Sequence, residues 1–311
     1  MAMNADVLVI GSANLDYIVK VEVPPKPGET VLAKHLVKHP GGKGANQAVA
    51  AARMGARVRF IGCVGDDPDG ALLLRELRAE GVDTTAVEIA AHAQTGLALV
   101  SVFDSGENSI TVVPGANFAL QSVRIRRALA ALDGGDTIVV MQAEVKGAII
   151  DAAVAGSVHN GRTRFVLNLA PYRAVAPEVL AACDPLVVNQ SEASAMVGYE
   201  IDGIPSALRA LDDLRAIVRS VVVTLGGAGA VWADREAQGH VAAPHVSAVV
   251  DTTGAGDAFV GALVAELALG ETLENAVRTG VHAGSFAVEH FGAQSSYPMR
   301  HDLVPAPAAT V

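Results

Sequence analysis

Residues 251–259 read Asp-Thr-Thr-Gly-Ala-Gly-Asp-Ala-Phe and join a glycine-rich turn to an apolar helix that ends at Gly270. Two glycines around an alanine favour a tight turn. A turn that leads into a helix presents unpaired backbone N–H groups and the positive end of the helix dipole, which together bind anions. Asp257 lies at the mouth of this predicted anion site. It is either a helix cap or a proton acceptor, and the stretch alone leaves both readings open.

The rest of the chain alternates between short apolar strands and helices. Strands are predicted at 7–11, 58–63, 137–141, 164–168, 185–188 and 220–224, and helices at 69–80, 121–132, 146–157, 205–218 and 272–289. Each strand ends in a polar or glycine-rich cluster. This pattern predicts a doubly wound, mostly parallel α/β sheet that binds ligands along one edge. Residues 230–233 and 241–250 are predicted to form an antiparallel margin.

Two insertions interrupt this alternation, at about residues 16–39 and 95–115. Each reads as a β-hairpin, and we expect the two hairpins to pair into a small sheet that covers the strand ends as a lid. We find no internal repeat and no linker. The sequence therefore predicts a single domain over residues 1–304 with this lid, followed by a poorly ordered Pro- and Ala-rich tail at 305–311.

Composition narrows the class of protein. The 311 residues carry a formal net charge of −10, which argues against nucleic-acid binding and against an anionic membrane surface. No apolar run reaches the roughly 18 residues of a membrane span. Cys63 and Cys183 have no metal-type spacing, so we expect reduced thiols. The chain enters its first strand directly, so we expect no signal peptide and a cytoplasmic location.

A second glycine-rich segment, Pro-Gly-Gly-Lys-Gly-Ala-Asn-Gln at 40–47, precedes a helix predicted over 48–54. It is not a Walker A loop, because Gly44 stands where a Ser or Thr would hold Mg²⁺. Close helix–sheet packing would explain the glycines but not why Lys43 and Asn46 share one helix face. Asn14 and Asp16, after the first strand, are either ligand-binding residues or turn formers.

Together, the motifs at 41–47 and 251–257 resemble those of the ribokinase (PfkB-type) family of carbohydrate kinases, and the resemblance extends from Gly11 to Ser296. It implies a ribokinase-like fold and ATP-dependent phosphorylation of D-ribose at its primary 5-hydroxyl, giving ribose 5-phosphate and ADP. It also implies ATP with Mg²⁺, and a monovalent cation such as K⁺ as activator. The resemblance favours the catalytic reading of Asp257.

The resemblance further implies four sets of site residues. Asp257 would be the general base, with an anion hole formed by the amides of Gly254, Ala255 and Gly256. The sugar would contact Asp257 together with Asn14, Asp16, Gly42, Lys43, Asn46 and Glu144. The nucleotide and Mg²⁺ would involve Asn189, Glu192, Thr224, Gly226, Gly227, Gly229 and Gly256. The monovalent cation would lie among Asp251, Thr253, Ala287, His290, Gly292 and Ser296.

The chain departs from the family pattern at two places. Gln190 replaces a carboxylate of the Asn-Glu-x-Glu motif, while Glu192 retains the other. Val281, with His282 beside it, stands where many members place Asn or His against adenine.

Alternatives remain for the function. The acceptor of a family member could instead be 2-deoxyribose, a nucleoside or a ketohexose, although the polar set favours a pentose over a nucleoside, which would need aromatic side chains. A non-catalytic sugar-binding regulator is disfavoured by the intact Asp257 and its turn. A dehydrogenase is disfavoured because no Gly-x-Gly-x-x-Gly follows the first strand. Alternating apolar residues at 97–102 and 109–113 leave one face of the lid uncovered, which predicts a homodimer through the lid.

Overall fold

The computed structural model describes residues 5–104, 108–132, 135–159 and 162–303, so the predicted tail lies outside the described residues. The strands are β1 (Asp6–Ile10), β2 (Asn14–Val21), β3 (His35–Gly41), β4 (Val58–Ile61), β5 (Cys63–Gly65), β6 (Glu88–Ala90), β7 (Gly96–Phe103), β8 (Asn108–Val113), β9 (Thr137–Gln142), β10 (Thr163–Asn168), β11 (Cys183–Asn189), β12 (Val221–Thr224), β13 (Ala230–Ala233) and β14 (Gln238–Val241). The α-helices are α1 (Lys43–Arg53), α2 (Pro68–Ala79), α3 (Ser122–Ala130), α4 (Gly147–His159), α5 (Pro177–Ala182), α6 (Gln190–Val197), α7 (Ile204–Arg215), α8 (Ala255–Ala268) and α9 (Leu273–Ala287).

The main sheet has eight strands in the order β14-β13-β12-β11-β10-β9-β1-β4. Pairing is parallel from β4 to β12 and antiparallel at β13 and β14. Alternate residues of β1 enter different hydrophobic clusters: Val7 and Val9 pack with α1, α8 and α9, whereas Leu8 and Ile10 pack with α3, α4 and α7. Helices therefore cover both faces, which is why the strands are apolar throughout. The predicted doubly wound, mostly parallel sheet is confirmed.

The two predicted hairpins form one four-stranded sheet in the order β3-β2-β7-β8, in which β2 and β7 are parallel and join the hairpins. This small sheet contacts the main body through Tyr17, whose hydroxyl donates to Asp69 on α2 and accepts from Lys38 Nζ at 2.9 Å. The predicted small sheet is confirmed. That it works as a lid stays a prediction.

Three predicted boundaries were wrong. The sequence predicts the second strand of the first hairpin at residues 30–33, whereas the structure forms it as β3 (His35–Gly41). The second strand of the antiparallel margin is β14 (Gln238–Val241) rather than 241–250, so that residues 242–250 lie outside any strand. Helix α1 begins at Lys43 rather than at Ala48. Gly44, the glycine inside α1, allows the helix to start directly against the chain that follows β1: a Cβ on Gly44 would lie 2.6 Å from the Ser12 nitrogen.

In the part of the chain that the structure describes, no helix combines the length and the apolar character needed to cross a membrane.

Candidate active site

The C-terminal ends of the parallel strands surround a cavity of about 220 Å³. Loops and helix starts from separate parts of the chain contribute to its wall, namely Lys43, Asn168, Ala170, Val187, Val188, Asn189, Glu192, Thr224, Thr252, Gly254, Gly256, Asp257 and Val260. Open α/β sheets place ligands at this edge. The structure thus brings the predicted turn at 251–257 together with Lys43 of the glycine-rich segment at 40–47 and with β11.

Asp257 is the third residue of α8 and is buried, with 6% of its surface exposed. Its Oδ2 accepts a hydrogen bond from Asn46 Nδ2 at 2.9 Å, and its Oδ1 accepts one from Gln47 Nε2 at 2.9 Å. Burial raises the pKa of Asp257, against the opposing effects of Lys43 and of the two amide donors. A carboxylate with fixed orientation and a raised pKa is suited to accept a proton.

Gly254 caps the start of α8 in the left-handed conformation, with φ of 77°. A Cβ at this position would lie 2.6 Å from the Tyr297 hydroxyl oxygen and 2.9 Å from Ala293 Cβ, so the turn requires glycine. The Ala255 nitrogen donates weakly to the Thr252 carbonyl, at 3.3 Å. Within the described chain the amides of Gly254 and Gly256 have no acceptor. Those two donors are free to bind an anion.

The residues predicted to contact the sugar, which is the phosphoryl acceptor, lie together beside this cavity. Asn117 Nδ2 donates to Asn14 Oδ1 at 2.7 Å, and the Lys43 backbone nitrogen donates to Glu144 Oε2 at 3.0 Å. Burial, and then the charges of Glu144 and Asp257, raise the pKa of Asp16 to about 7. Asn14 and Asp16 belong to β2, so the turn-former reading of them was wrong.

Lys43 is the cationic group of this pocket. The carboxylate of Asp257 raises the pKa of Lys43, with smaller contributions from Glu144, Glu192 and Asp16 that add to it against burial. Lys43 and Asn46 both stand in the first turn of α1, which begins after Gly42 at its N-cap. The pocket therefore offers one cation, several carboxylates and side-chain amides, which suits a ligand with many hydroxyl groups.

A larger cavity of about 480 Å³ adjoins the first and shares Thr224, Thr252 and Gly256 with it. The rest of its wall is formed by residues that are mostly small or apolar, namely Gly226, Gly227, Gly229, Ala243, Pro244, His245, Val246, Val249, Ala255, Phe259, Val281, Gly284, Ser285 and Val288. Its size and its apolar wall suit a nucleotide base. Val281, one of the two residues that depart from the family pattern, lines this cavity.

Asn189 and Glu192 form a reciprocal cap at the start of α6. Asn189 Oδ1 accepts from the Glu192 nitrogen and Glu192 Oε2 accepts from the Asn189 nitrogen, each at 2.9 Å. Burial raises the pKa of Glu192. No cluster of three or more His, Cys, Asp or Glu that could hold a metal occurs among the described residues. A Mg²⁺ ion at Glu192 therefore fits only if phosphate oxygens and water supply most of its ligands, as is usual for this ion.

The predicted cation residues lie on two loops that Asp251 joins. Asp251 Oδ1 accepts from the Thr253 nitrogen at 2.9 Å, and its Oδ2 accepts from the Gly292 nitrogen at 3.0 Å. Ala287 is the last residue of α9, His290 follows it, and Ser296 ends a short 3-10 helix. The Ala287 carbonyl accepts from the His290 nitrogen at 3.0 Å, and Ser296 Oγ donates to the Ala293 carbonyl at 2.7 Å. Backbone carbonyls and one carboxylate are oxygen donors suited to a hard cation.

Five buried polar residues beside the predicted set were not predicted as site residues. Ser12, Gln47, Asn117 and Gln294 each bond a predicted residue directly, whereas Asn168 bonds Gln47 and lines the same cavity. Gln47 stands in the glycine-rich motif, and its place beside Asn46 was its one available signal. Asn168 ends a predicted strand, where polar residues indicate the ligand edge, and the others are single polar residues that only the fold brings to the site.

The chain is similar to known proteins in sequence and in fold. Residues 4–300 match the model of the pfkB family of carbohydrate kinases. A ribokinase of Haemophilus influenzae is 35% identical, over 97% of this chain and 98% of its own length. A deoxyribokinase of Salmonella typhi is 36% identical, over 94% of this chain and 95% of its own. The structure of Arabidopsis thaliana ribokinase complexed with ribose and ATP matches with a TM-score of 0.87 at 30% identity, covering 97% of this chain and 98% of that one. This chain belongs to the pfkB family of carbohydrate kinases.

Proposed function

We propose that this kinase transfers the terminal phosphoryl group of ATP to the primary 5-hydroxyl of D-ribose, giving ribose 5-phosphate and ADP. One observation carries the proposal: Asp257 and the free amides of Gly254 and Gly256 line one small cavity, which shares residues with a nucleotide-sized cavity. The polar pocket of Asp16 and Lys43 adjoins Asp257. The ribokinases of Haemophilus influenzae and Arabidopsis thaliana support ribose as the acceptor.

In this proposal Asp257 accepts the proton of the primary hydroxyl while that oxygen attacks the phosphoryl group. The amides of the 254–256 turn donate to the equatorial oxygens, where negative charge is spread in the transition state. Lys43 adds positive charge beside them. Asn189 and Glu192 would hold Mg²⁺ through its waters, and the ion would neutralise charge on the phosphates.

A second acceptor, 2-deoxyribose, is favoured by the deoxyribokinase of Salmonella typhi, which matches this chain as well as the ribokinase does. The two sugars differ only in the 2-hydroxyl. A nucleoside is less suited, because the acceptor pocket is built from Asn, Asp, Lys and Glu side chains rather than from aromatic ones.

Release of ADP from ATP tests the proposal across ribose, 2-deoxyribose, fructose, adenosine and other nucleosides. We expect the highest kcat/KM with ribose. A higher kcat/KM with 2-deoxyribose would select the second acceptor. Activity with a nucleoside and none with ribose would overturn the proposed acceptor class.

We also infer that a monovalent cation such as K⁺ binds behind the anion turn and activates the enzyme. Asp251 joins the two loops of this site, so Asp251→Ala should abolish K⁺ stimulation of kcat. Asp234→Ala is a matched control, because Asp234 also accepts from two backbone nitrogens, at 2.9 and 2.8 Å, but in a remote turn. Rates are measured with and without K⁺ at constant ionic strength. A wild-type enzyme that K⁺ does not stimulate would refute the inference.

We propose further that the small sheet is a lid and carries a dimer interface. Val37, Ile18, Val100 and Ile110 are direct cross-strand neighbours, so they form one apolar row across all four strands. Val37 is 42% exposed and Ile110 is 57% exposed. The row lies on the same face as Asp16, two residues before Ile18, so a lid in this position would also exclude water from the acceptor pocket.

Ile110→Lys should convert the proposed homodimer into a monomer, because a charge would be buried in an apolar interface. Ile89→Lys is the control, since Ile89 is 58% exposed on a different sheet. Light scattering at micromolar concentration gives the mass. We expect a dimer for the wild type and for Ile89→Lys. A monomeric wild type would rule out the dimer.

A further inference from the structure

Gln47 is fully buried in α1 and lies at the centre of a chain of side-chain amides. Its Oε1 accepts from Gln142 Nε2 at 2.6 Å. Its Nε2 donates to Asp257 Oδ1 at 2.9 Å and to Asn168 Oδ1 at 3.0 Å. Gln47 therefore touches the carboxylate of Asp257 from the protein interior. Its side chain has no exposed surface through which to contact a substrate.

The hydrogen-bond chain fixes which end of each amide faces Asp257. Asn168 Nδ2 donates to the carbonyl of Val187 at 3.1 Å, and a carbonyl can only accept. Asn168 Oδ1 is consequently the atom that faces Gln47, and it too can only accept. Gln47 must present its NH₂ group to both neighbours. The donor that faces Asp257 is thus set by a backbone carbonyl on β11.

The second carboxylate oxygen of Asp257, Oδ2, also faces an amide NH₂ group whose orientation is fixed by a further hydrogen bond. Gln294 Nε2 donates to Asn46 Oδ1 at 3.0 Å, so Asn46 turns its NH₂ group towards Asp257. Each carboxylate oxygen therefore receives one fixed donor and keeps a lone pair for the acceptor hydroxyl. Donors to a carboxylate stabilise its ionised form, which accepts protons.

The charged groups around Asp257 come from several elements. Lys43 on α1 favours the ionised carboxylate. Glu144 after β9, Asp16 on β2 and the buried Tyr297 hydroxyl also lie near it, and the two acidic side chains disfavour a further negative charge. Burial raises the pKa of Asp257 in the same direction as these carboxylates, and Lys43 and the two amide donors oppose that shift.

We propose that Gln47 is a positioning residue, which holds the Asp257 carboxylate in the orientation and ionised state that proton transfer requires. The proposal rests on the proposed role of Asp257 as the base. Gln47 acts through its hydrogen bond to Asp257.

Gln47→Met tests this proposal, because it keeps the length of the side chain and removes the donor. Loss of the donor raises the pKa of Asp257, so the acid limb of the pH profile of kcat/KM should move to higher pH by about one unit. Activity at pH below the limb should fall about ten-fold and should recover towards the wild-type value at high pH. Asp16 is not a partner of Gln47, so a limb that belonged to Asp16 would not move.

Gln142→Met is the matched control. Gln142 is also fully buried and loses one amide hydrogen bond, but the variant leaves the Gln47 donor in place. We expect its acid limb to stay near the wild-type position. An unmoved limb in Gln47→Met would mean that the Gln47 donor does not set the pKa of the group that limits the rate, and an equal movement in both variants would mean that only packing matters. Either result would overturn the proposal.

A thermal unfolding curve shows whether Gln47→Met folds. If it does not, Gln47→Glu tests the proposal instead. Two carboxyl groups at hydrogen-bond distance cannot both ionise easily, so its limb should move higher still. An acid limb of Gln47→Glu that lies at the same pH as that of the wild type would also overturn the proposal. Failure of the base assignment is recognised separately, by an active Asp257→Asn enzyme.

Discussion

Asp257→Asn should lower kcat by about 10²–10⁴-fold, the range typical of general-base catalysis, and leave sugar binding within a few-fold of wild type. The amide has nearly the shape of the carboxylate, so it keeps the packing at the start of α8. It cannot take a proton from the acceptor hydroxyl. The NH₂ group of the new Asn side chain would face the NH₂ group of Asn46 or of Gln47, and two donors cannot form a hydrogen bond. The loss of this hydrogen bond lowers the stability of the fold modestly.

Steady-state kinetics give kcat, and sugar affinity is measured separately by calorimetry. Asp184→Asn is the control, because Asp184 is a half-buried carboxylate at the opposite end of β11 that bonds Ser220 and Arg164. Its kcat should be unchanged. An Asp257→Asn enzyme with near wild-type kcat would exclude Asp257 as the base.

Gly44→Ala should lower the free energy of unfolding by about 1–3 kcal/mol and kcat/KM by about 10²-fold. In an ordinary helix this change would stabilise by roughly 0.5–1 kcal/mol. At Gly44 the added Cβ would lie 2.6 Å from the Ser12 nitrogen and 2.7 Å from the Gly11 carbonyl carbon. A side chain can relieve such a contact by changing its rotamer, whereas backbone atoms cannot. Helix α1 must therefore shift, and Lys43, Asn46 and Gln47 shift with it.

Gly147→Ala is the matched control for Gly44→Ala, since Gly147 opens α4 and its added Cβ would meet only Arg173 Nη2, at 3.8 Å. Urea unfolding and steady-state kinetics compare the two variants. The control should match the wild type or exceed it in stability. Equal results for the two variants would show that the close contact of α1 with β1 does not position the site.

The sequence predicts those features of the fold that local pattern controls. Strands of Val, Leu and Ile that end in polar clusters predict the parallel sheet, and two alternating segments predict the small sheet. The start of α1 was predicted wrongly because glycine usually ends a helix, whereas Gly44 here serves a close contact between backbones. That contact involves Ser12, which lies 32 positions earlier in the chain. Local helix propensity takes no account of residues so far apart.

The predicted site residues lie together, but their supporting contacts could not be predicted. The hydrogen bond from Gln47 to Asp257 joins residues 210 positions apart, and the one from Asn117 to Asn14 joins residues 103 positions apart. Such pairs follow from strand order and register. From sequence alone, a single polar residue in an apolar stretch cannot be assigned to the site rather than to a buried structural role.

The proton-coupled ³¹P NMR spectrum of the product formed from ribose and ATP tests the proposed reaction most directly. A phosphate on the primary carbon couples to two methylene protons, so its signal should be a triplet that appears with wild-type enzyme and is nearly absent with Asp257→Asn. A doublet, which reports one coupled proton, would place the phosphate on another carbon and contradict the proposed reaction. So would a triplet that forms equally fast with Asp257→Asn.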